Sequence, residues 1–136
     1  MSESTLPLKN TNKLFKERYE RECLRVNGFM KWLMVAQWIV GIGFAFFYSP
    51  LTWIGNHYDV HVHIWAAFLL GGSLSGFAIL WLHVYPKSAY SRHVVAAIQM
   101  LWSALFIHLT GGRIETHFHV FASLAILSIY RDWTIL

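Results

Sequence analysis

Residues 29–48 read FMKWLMVAQWIVGIGFAFFY, a nearly continuous apolar run that decides the class of this protein. A helix of that length spans about 30 Å, which matches the hydrocarbon core of a bilayer. Lys31 and Trp32 lie near its start, where they suit a membrane interface, and Ser49-Pro50 follows its end. The run therefore predicts a transmembrane helix.

Composition extends this prediction to the rest of the chain. Of its 136 residues 56% are hydrophobic and 13% are charged, whereas charged residues are about a quarter of an ordinary soluble domain. Further apolar segments cover about residues 61–85, 93–109 and 116–131, the last being short for a span. We predict an all-α integral membrane four-helix bundle at 29–136. In the second helix, small residues from Gly71 to Gly76 should let a neighbouring helix approach closely.

The first 28 residues form a basic, cytoplasmic arm. Residues 1–12 are predicted to be a loose tail. Residues 13–25 (KLFKERYERECLR) are either a solvated helical lead-in or an amphipathic helix on the membrane surface. The polar start does not fit a cleaved signal peptide.

The distribution of basic residues predicts the orientation. Seven Lys and Arg lie between Lys9 and Lys31, and none lies in the loop 51–60. Lys87 and Arg92 lie in the second loop, and Arg113 alone lies in the third. Under the positive-inside rule both termini are cytoplasmic, in a multi-pass protein of the cell inner membrane. The +4 charge thus flanks membrane segments, and no nucleic-acid partner is expected.

Two stretches resemble each other. Residues 61–66 (HVHIWA) open the second helix, and residues 117–122 (HFHVFA) open the fourth. The helices before them each carry a glutamine, Gln37 and Gln99. We therefore predict two repeated helical hairpins related by an axis along the membrane normal.

Six of the eight histidines map to the predicted outer side, and imidazole is the commonest metal ligand in proteins. Polar ionisable groups at a membrane helix end are costly unless they are partnered. Glu115 could be a ligand or could orient a ligand histidine. The predicted metal-site residues are His61, His63, His108, Glu115, His117 and His119.

The identity of the cofactor stays open among a few alternatives. A nitrogen-rich set suits zinc, copper(II) or iron, and two histidines could hold a b-type haem. In the structural alternative these are ordinary interfacial histidines, and Glu115 stabilises a helix N-terminus without any metal. Cys23 is the single cysteine, so it forms no internal disulfide.

Residues 108–115 (HLTGGRIE), 117–121 (HFHVF) and 130–133 (YRDW), with HVH at 61–63, carry a family resemblance. They resemble the N-terminal membrane sensory module of bacterial histidine kinases, chemoreceptors and diguanylate cyclases. The resemblance implies two-component-type signal transduction, with a cytoplasmic output domain that follows further apolar segments. This chain contains neither, so it resembles a fragment or a stand-alone sensory unit.

The function predicted from these features is sensory input through the outer histidines. The alternative is a haem-binding or metal-binding electron-transfer membrane protein. No catalytic motif is present, so we predict no enzymatic activity in this chain. The expected partners are the lipid bilayer, a cytoplasmic signalling domain or protein, and a second copy in a homodimer. A transporter is disfavoured because no ionisable residue is predicted at mid-membrane depth.

Overall fold

The computed structural model describes residues 5–48, 51–54, 57–60, 62–132 and 134, and it confirms the all-α prediction. Within these residues, four helices follow one another. They are α1 (Thr5–Tyr48), α2 (Val62–Val84), α3 (Ala89–Leu109) and α4 (Ile114–Leu127), the last continuing as a 3-10 turn, Ser128–Tyr130. Helix α3 packs against the other three helices and occupies the centre of the bundle.

A short β-hairpin connects α1 to α2, in the segment predicted to be a loop. Strands β1 (Leu51–Ile54) and β2 (His57–Val60) pair antiparallel, with Leu51 opposite Val60. We call this end of the bundle the hairpin end, and it is the end predicted to lie outside. The opposite end, where Pro86 lies between α2 and α3, is called the Pro86 end.

Helix α1 begins much earlier than the sequence predicts. The loose tail predicted for residues 1–12 is wrong from Thr5 onward, because one helix runs from Thr5 to Tyr48 without interruption. Pro7 does not prevent this, since proline is tolerated in the first helical turn. The arm and the first apolar span therefore form one continuous helix.

Helix α2 contains a π-helical segment, Ala66–Leu70, next to a close helix contact. A side chain at Gly71 would place its Cβ 2.9 Å from the ring of Trp102 on α3. Such a contact is shorter than van der Waals packing allows, so the small residue predicted to permit close approach does so here. The sequence gives no signal for the π-helical segment.

Helix α3 starts four residues before the predicted position, because Ser88 caps it and accepts a hydrogen bond from the Tyr90 N–H. Arg92 consequently lies on the helix and not in a loop. At the other end, Gly111 and Gly112 have φ values of 70° and 79°. The predicted tight reversal with positive φ is confirmed.

Many large apolar side chains lie on the surface of the bundle. Met34, Leu82 and Trp102 are fully buried, yet Phe47 is 90% exposed and Trp32 is 77% exposed. Helices α1, α2 and α3 are each long and apolar enough to cross a membrane, whereas α4 with its 3-10 turn is shorter. Large exposed aromatic and aliphatic side chains suit contact with lipid.

Candidate functional site

His63 and His108 come together at the hairpin end. His63 lies in the first turn of α2 and His108 in the last turn of α3, and their ring centroids are 4.8 Å apart with an interplanar angle of 72°. Two imidazoles on one tetrahedral metal ion, at about 2 Å per metal–nitrogen bond, have ring centroids about 5 Å apart. The pair is therefore spaced as two neighbouring ligands of one metal ion would be.

His117 and Glu115 lie at the surface of the same end. Both side chains are exposed, and the His117 Nδ1 lies 3.0 Å from the carbonyl oxygen of Arg113, in the preceding turn of its own chain. Glu115 lies in the first turn of α4, where the helix dipole favours an anion. These positions fit the structural alternative for both residues as well as a peripheral role in a site.

His119 instead points into the bundle and connects three helices. Its Nε2 lies 3.1 Å from the amide nitrogen of Gln37 on α1, and its Nδ1 lies 2.8 Å from the hydroxyl of Ser103 on α3. Ser123, one turn further along α4, lies 3.3 Å from the same Nδ1. Phe106 packs edge-on against the imidazole, with centroids 4.7 Å apart.

The donor and the acceptor of each of these hydrogen bonds can be assigned without conflict. The Gln37 amide donates to the lone pair on Nε2, so the proton of a neutral imidazole lies on Nδ1 and is donated to Ser103. The Ser103 hydroxyl in turn donates to the carbonyl oxygen of Gln99, at 3.0 Å. The arrangement thus accommodates a neutral His119 without conflict.

Several buried polar atoms next to these hydrogen bonds lack a partner among the described residues. The Gln37 Oε1 and both amide atoms of Gln99 are buried without one, as is the indole nitrogen of Trp102. Leaving such a group buried and unpaired costs about 1–3 kcal/mol. We name this group the His119 cluster, which comprises Gln37, Gln99, Ser103, His119 and Ser123.

The His119 cluster lies beside the middle of the apolar run of α1. Gln37 precedes the end of α1 at Tyr48 by a helical distance of about 16 Å, close to half a hydrocarbon core. Its partner His119 is therefore an ionisable group that contacts the middle of the apolar run of α1. The absence of an ionisable residue at mid-membrane depth, which disfavours a transporter, stays a prediction.

The predicted metal site is assembled only in part. His63 and His108 are together, His119 lies in the cluster, His117 and Glu115 are at the surface, and His61 lies outside the described residues. Within the described part of the chain, no group of three or more His, Cys, Asp or Glu side chains is placed to hold a metal ion. The six-residue set stays a prediction.

Sequence reasoning noticed Gln37 and Gln99 only as marks of a repeat, and it missed Ser103 and Ser123. Both glutamines face the bundle interior, with 5% and 0% exposure. A signal was present, because a large amide side chain within an apolar span is costly unless it is partnered. The pairing of Gln37 with His119, which crosses the two proposed repeats, needed the tertiary structure.

A second polar group closes the Pro86 end. The Asn27 amide donates to the Pro86 carbonyl oxygen at 2.8 Å, and the Tyr130 hydroxyl donates to the Asn27 Oδ1, also at 2.8 Å. Nearby, the Arg92 guanidinium binds Asp132 at 2.5 Å. Arg92 also donates to the Tyr19 hydroxyl. We name this group the Pro86 clasp, which comprises Tyr19, Asn27, Pro86, Arg92, Tyr130 and Asp132.

The clasp shifts the titration of its acidic member. Hydrogen bonds from the hydroxyl and the backbone N–H of Thr134 hold the pKa of the Asp132 carboxyl below its ordinary value, and the Arg92 guanidinium adds to this. Asp132 follows the end of α4, so the clasp fixes that end to α1 and α3.

The chain matches no protein-family model, no curated protein and no solved structure. The resemblance to bacterial sensory modules therefore depends on the sequence motifs alone. What is shown, over the described residues, is an all-α fold with three helices long and apolar enough to cross a membrane.

Proposed function

We propose that this chain is the sensory input module of a bacterial membrane signalling protein, with the His119 cluster as the element that changes state. The observation that carries the proposal is one imidazole hydrogen-bonded to both α1 and α3 from its place on α4. A sensor needs an interface with two arrangements of similar energy, and an incompletely paired polar cluster between helices supports that requirement.

The unpaired polar atoms of the His119 cluster allow a second arrangement of the interface between the helices. If Nε2 carries a proton, the amide nitrogen of Gln37 can no longer donate to it. Turning the Gln37 amide would then present Oε1, the atom now buried without a partner in the described part of the chain. Such a change alters the contact between α1 and α4 without unfolding either helix.

The ligand class best supported is a transition metal ion such as zinc. The His63–His108 pair has the spacing of two neighbouring ligands, and His61 lies two residues from His63 in the sequence. His108 and Ser103 are both on α3, about 7 Å apart along its axis. Metal binding at the pair would therefore act on the same helix that holds the cluster.

The route to an output partner runs along α4. The 3-10 turn ends at Tyr130, whose hydroxyl bonds to Asn27 on α1, and Asp132 binds Arg92. A shift of α4 at the cluster would change the geometry of these two contacts. They lie at the Pro86 end, which is predicted to be cytoplasmic. A cytoplasmic signalling domain or protein, in a homodimer, is the partner that this route suits.

The test is a distance measurement in nanodiscs. Nitroxide labels at Phe47 on α1 and Phe121 on α4, both exposed, are placed in a Cys23→Ser background, and the distance is measured by pulsed electron resonance with and without Zn²⁺. We expect zinc to change the distance in the wild type and in the control His83→Ala, an exposed histidine on α2 near the Pro86 end.

Two variants separate binding from response. His63→Ala should abolish zinc binding, measured by metal analysis after gel filtration, together with the distance change. His119→Leu should retain the zinc and lose the distance change. A wild type that binds zinc with no change of distance would contradict the sensory proposal.

A second candidate is electron transfer by a bound metal or haem, and the His63–His108 pair is the observation that favours it. Axial histidines on opposite faces of a haem have ring centroids more than about 6 Å apart, so the 4.8 Å spacing suits a metal ion better. A Soret band with a reversible redox change in the purified chain, and no zinc-dependent distance change, would favour this function over sensing.

A further inference from the structure

A cavity opens at the Pro86 end, between the arm of α1 and the start of α3. It has a volume of about 170 Å³, and its lining includes Lys16, Glu20, Asn27, Lys87, Ser88 and Arg92. Phosphate groups fit a space of this size. It lies apart from the His119 cluster, and it shares Asn27 and Arg92 with the Pro86 clasp.

The charges around the cavity favour an anion. Arg92 is offset by Asp132, which leaves Lys16 and Lys87 facing the single carboxylate Glu20. The cavity also meets the N-terminus of α3, whose first turn holds no acidic residue. The helix dipole at that position attracts negative charge.

An apolar groove adjoins the basic cavity. It has a volume of about 410 Å³, is lined by Trp81, Tyr85, Ser88, Tyr90 and Val94, and shares Ser88 with the cavity. Tyr90 is 75% exposed. Tryptophan and tyrosine concentrate where membrane meets water, so these residues place the basic cavity at the depth of lipid headgroups.

From this juxtaposition we propose that the Pro86 end binds an anionic phospholipid, with its phosphate in the basic cavity and one acyl chain in the adjoining groove. Basic pockets between membrane helices commonly hold such headgroups. The site takes a phosphodiester with an attached hydrocarbon chain, and the groove distinguishes this ligand from a soluble phosphate. Arg92 links the site to the Pro86 clasp.

Native mass spectrometry of the detergent-purified chain tests the proposal, using phosphatidylglycerol and phosphatidylcholine with the same acyl chains. We expect the wild type to retain phosphatidylglycerol preferentially. The double variant Lys16→Gln/Lys87→Gln should bind it about twenty-five-fold more weakly, at roughly fivefold for each lysine. Equal retention of the two lipids by the wild type would overturn the proposal.

The control Lys13→Gln/Arg21→Gln removes the same charge from the arm outside the cavity and should change the affinity by less than about twofold. A loss as large as that of the cavity variant would show general attraction to the arm and overturn the site. Circular dichroism establishes that each variant keeps its helices. The comparison of the two lipids on the wild type tests the proposal independently of the variants.

Two further measurements separate a lipid from a soluble anion. Inorganic phosphate and glycerol 1-phosphate should not displace phosphatidylglycerol at millimolar concentration. Tyr90→Ser, which shortens the groove, should weaken lipid binding roughly fivefold. Displacement by free phosphate, with no effect of Tyr90→Ser, would identify a soluble-anion site and contradict the lipid assignment.

Discussion

The two polar groups of this bundle differ in how completely they are paired. In the Pro86 clasp, Asn27 donates to the Pro86 carbonyl oxygen and accepts from the Tyr130 hydroxyl, and Arg92 donates to the Asp132 carboxylate. In the His119 cluster, by contrast, amide atoms of both glutamines are buried without a partner among the described residues. A closed network stabilises one arrangement, whereas an open one leaves room for a second. The clasp is thus suited to holding the helices together and the cluster to changing state.

The largest effect should come from Asn27→Ala in the clasp. This change leaves the buried Tyr130 hydroxyl and the Pro86 carbonyl without their partner, and we expect a loss of about 3 kcal/mol in the free energy of unfolding. Unfolding by sodium dodecyl sulphate in mixed micelles, followed by circular dichroism, measures it. The control Arg25→Ala removes an ion pair with Glu22 whose side chains are 73% and 62% exposed, and it should have almost no effect.

A smaller loss is expected for His119→Ala, about 2 kcal/mol by the same measurement. Gln37 loses its acceptor, but Ser103 keeps its bond to the Gln99 carbonyl, so the cluster loses less than the clasp. His83→Ala, at an exposed position, is the control. A loss for His119→Ala larger than that for Asn27→Ala would reverse the comparison, because the cluster would then be the more tightly closed network.

A gain in stability is expected for Gln99→Met, by about 1 kcal/mol. Methionine has a similar length and flexibility, and it removes two amide atoms that are buried without partners in the described part of the chain. Ser103→Ala is the comparison, since it removes a paired hydroxyl and should destabilise. If Gln99→Met destabilises as well, the cluster is fully paired and the contrast between the two groups fails.

The smallest effect concerns the pH dependence of the clasp. The pKa of Asp132 is lowered in the folded protein, so its contribution to stability is present above the ordinary value of 3.8 and is lost as pH falls through the lowered value. Thermal unfolding from pH 3 to pH 7 should therefore show an acid decrease that is smaller in Asp132→Asn. Identical profiles would mean that Asp132 adds nothing to the clasp.

Much of the helical framework could be predicted from single segments. The apolar run ending at Tyr48, the helix end before Pro86 and the positive-φ turn at Gly111 all follow from local rules of length, proline geometry and glycine freedom. The early start of α1 at Thr5 could not be recognised, because its polar residues are compatible with either a helix or a tail. The hairpin β1–β2 was missed since two four-residue strands resemble a loop in sequence.

The sequence by itself determined that this chain is a membrane bundle of helices and that histidines concentrate near one end. The length of an apolar run and the spacing of residues are local properties, because they depend only on neighbouring positions in the sequence. Only the tertiary structure decided which histidines meet. His63 approaches His108, and His119 approaches Gln37, although 45 and 82 positions separate these partners along the chain. Helix rotation and tilt set those contacts, and they depend on packing such as that of Gly71 against Trp102.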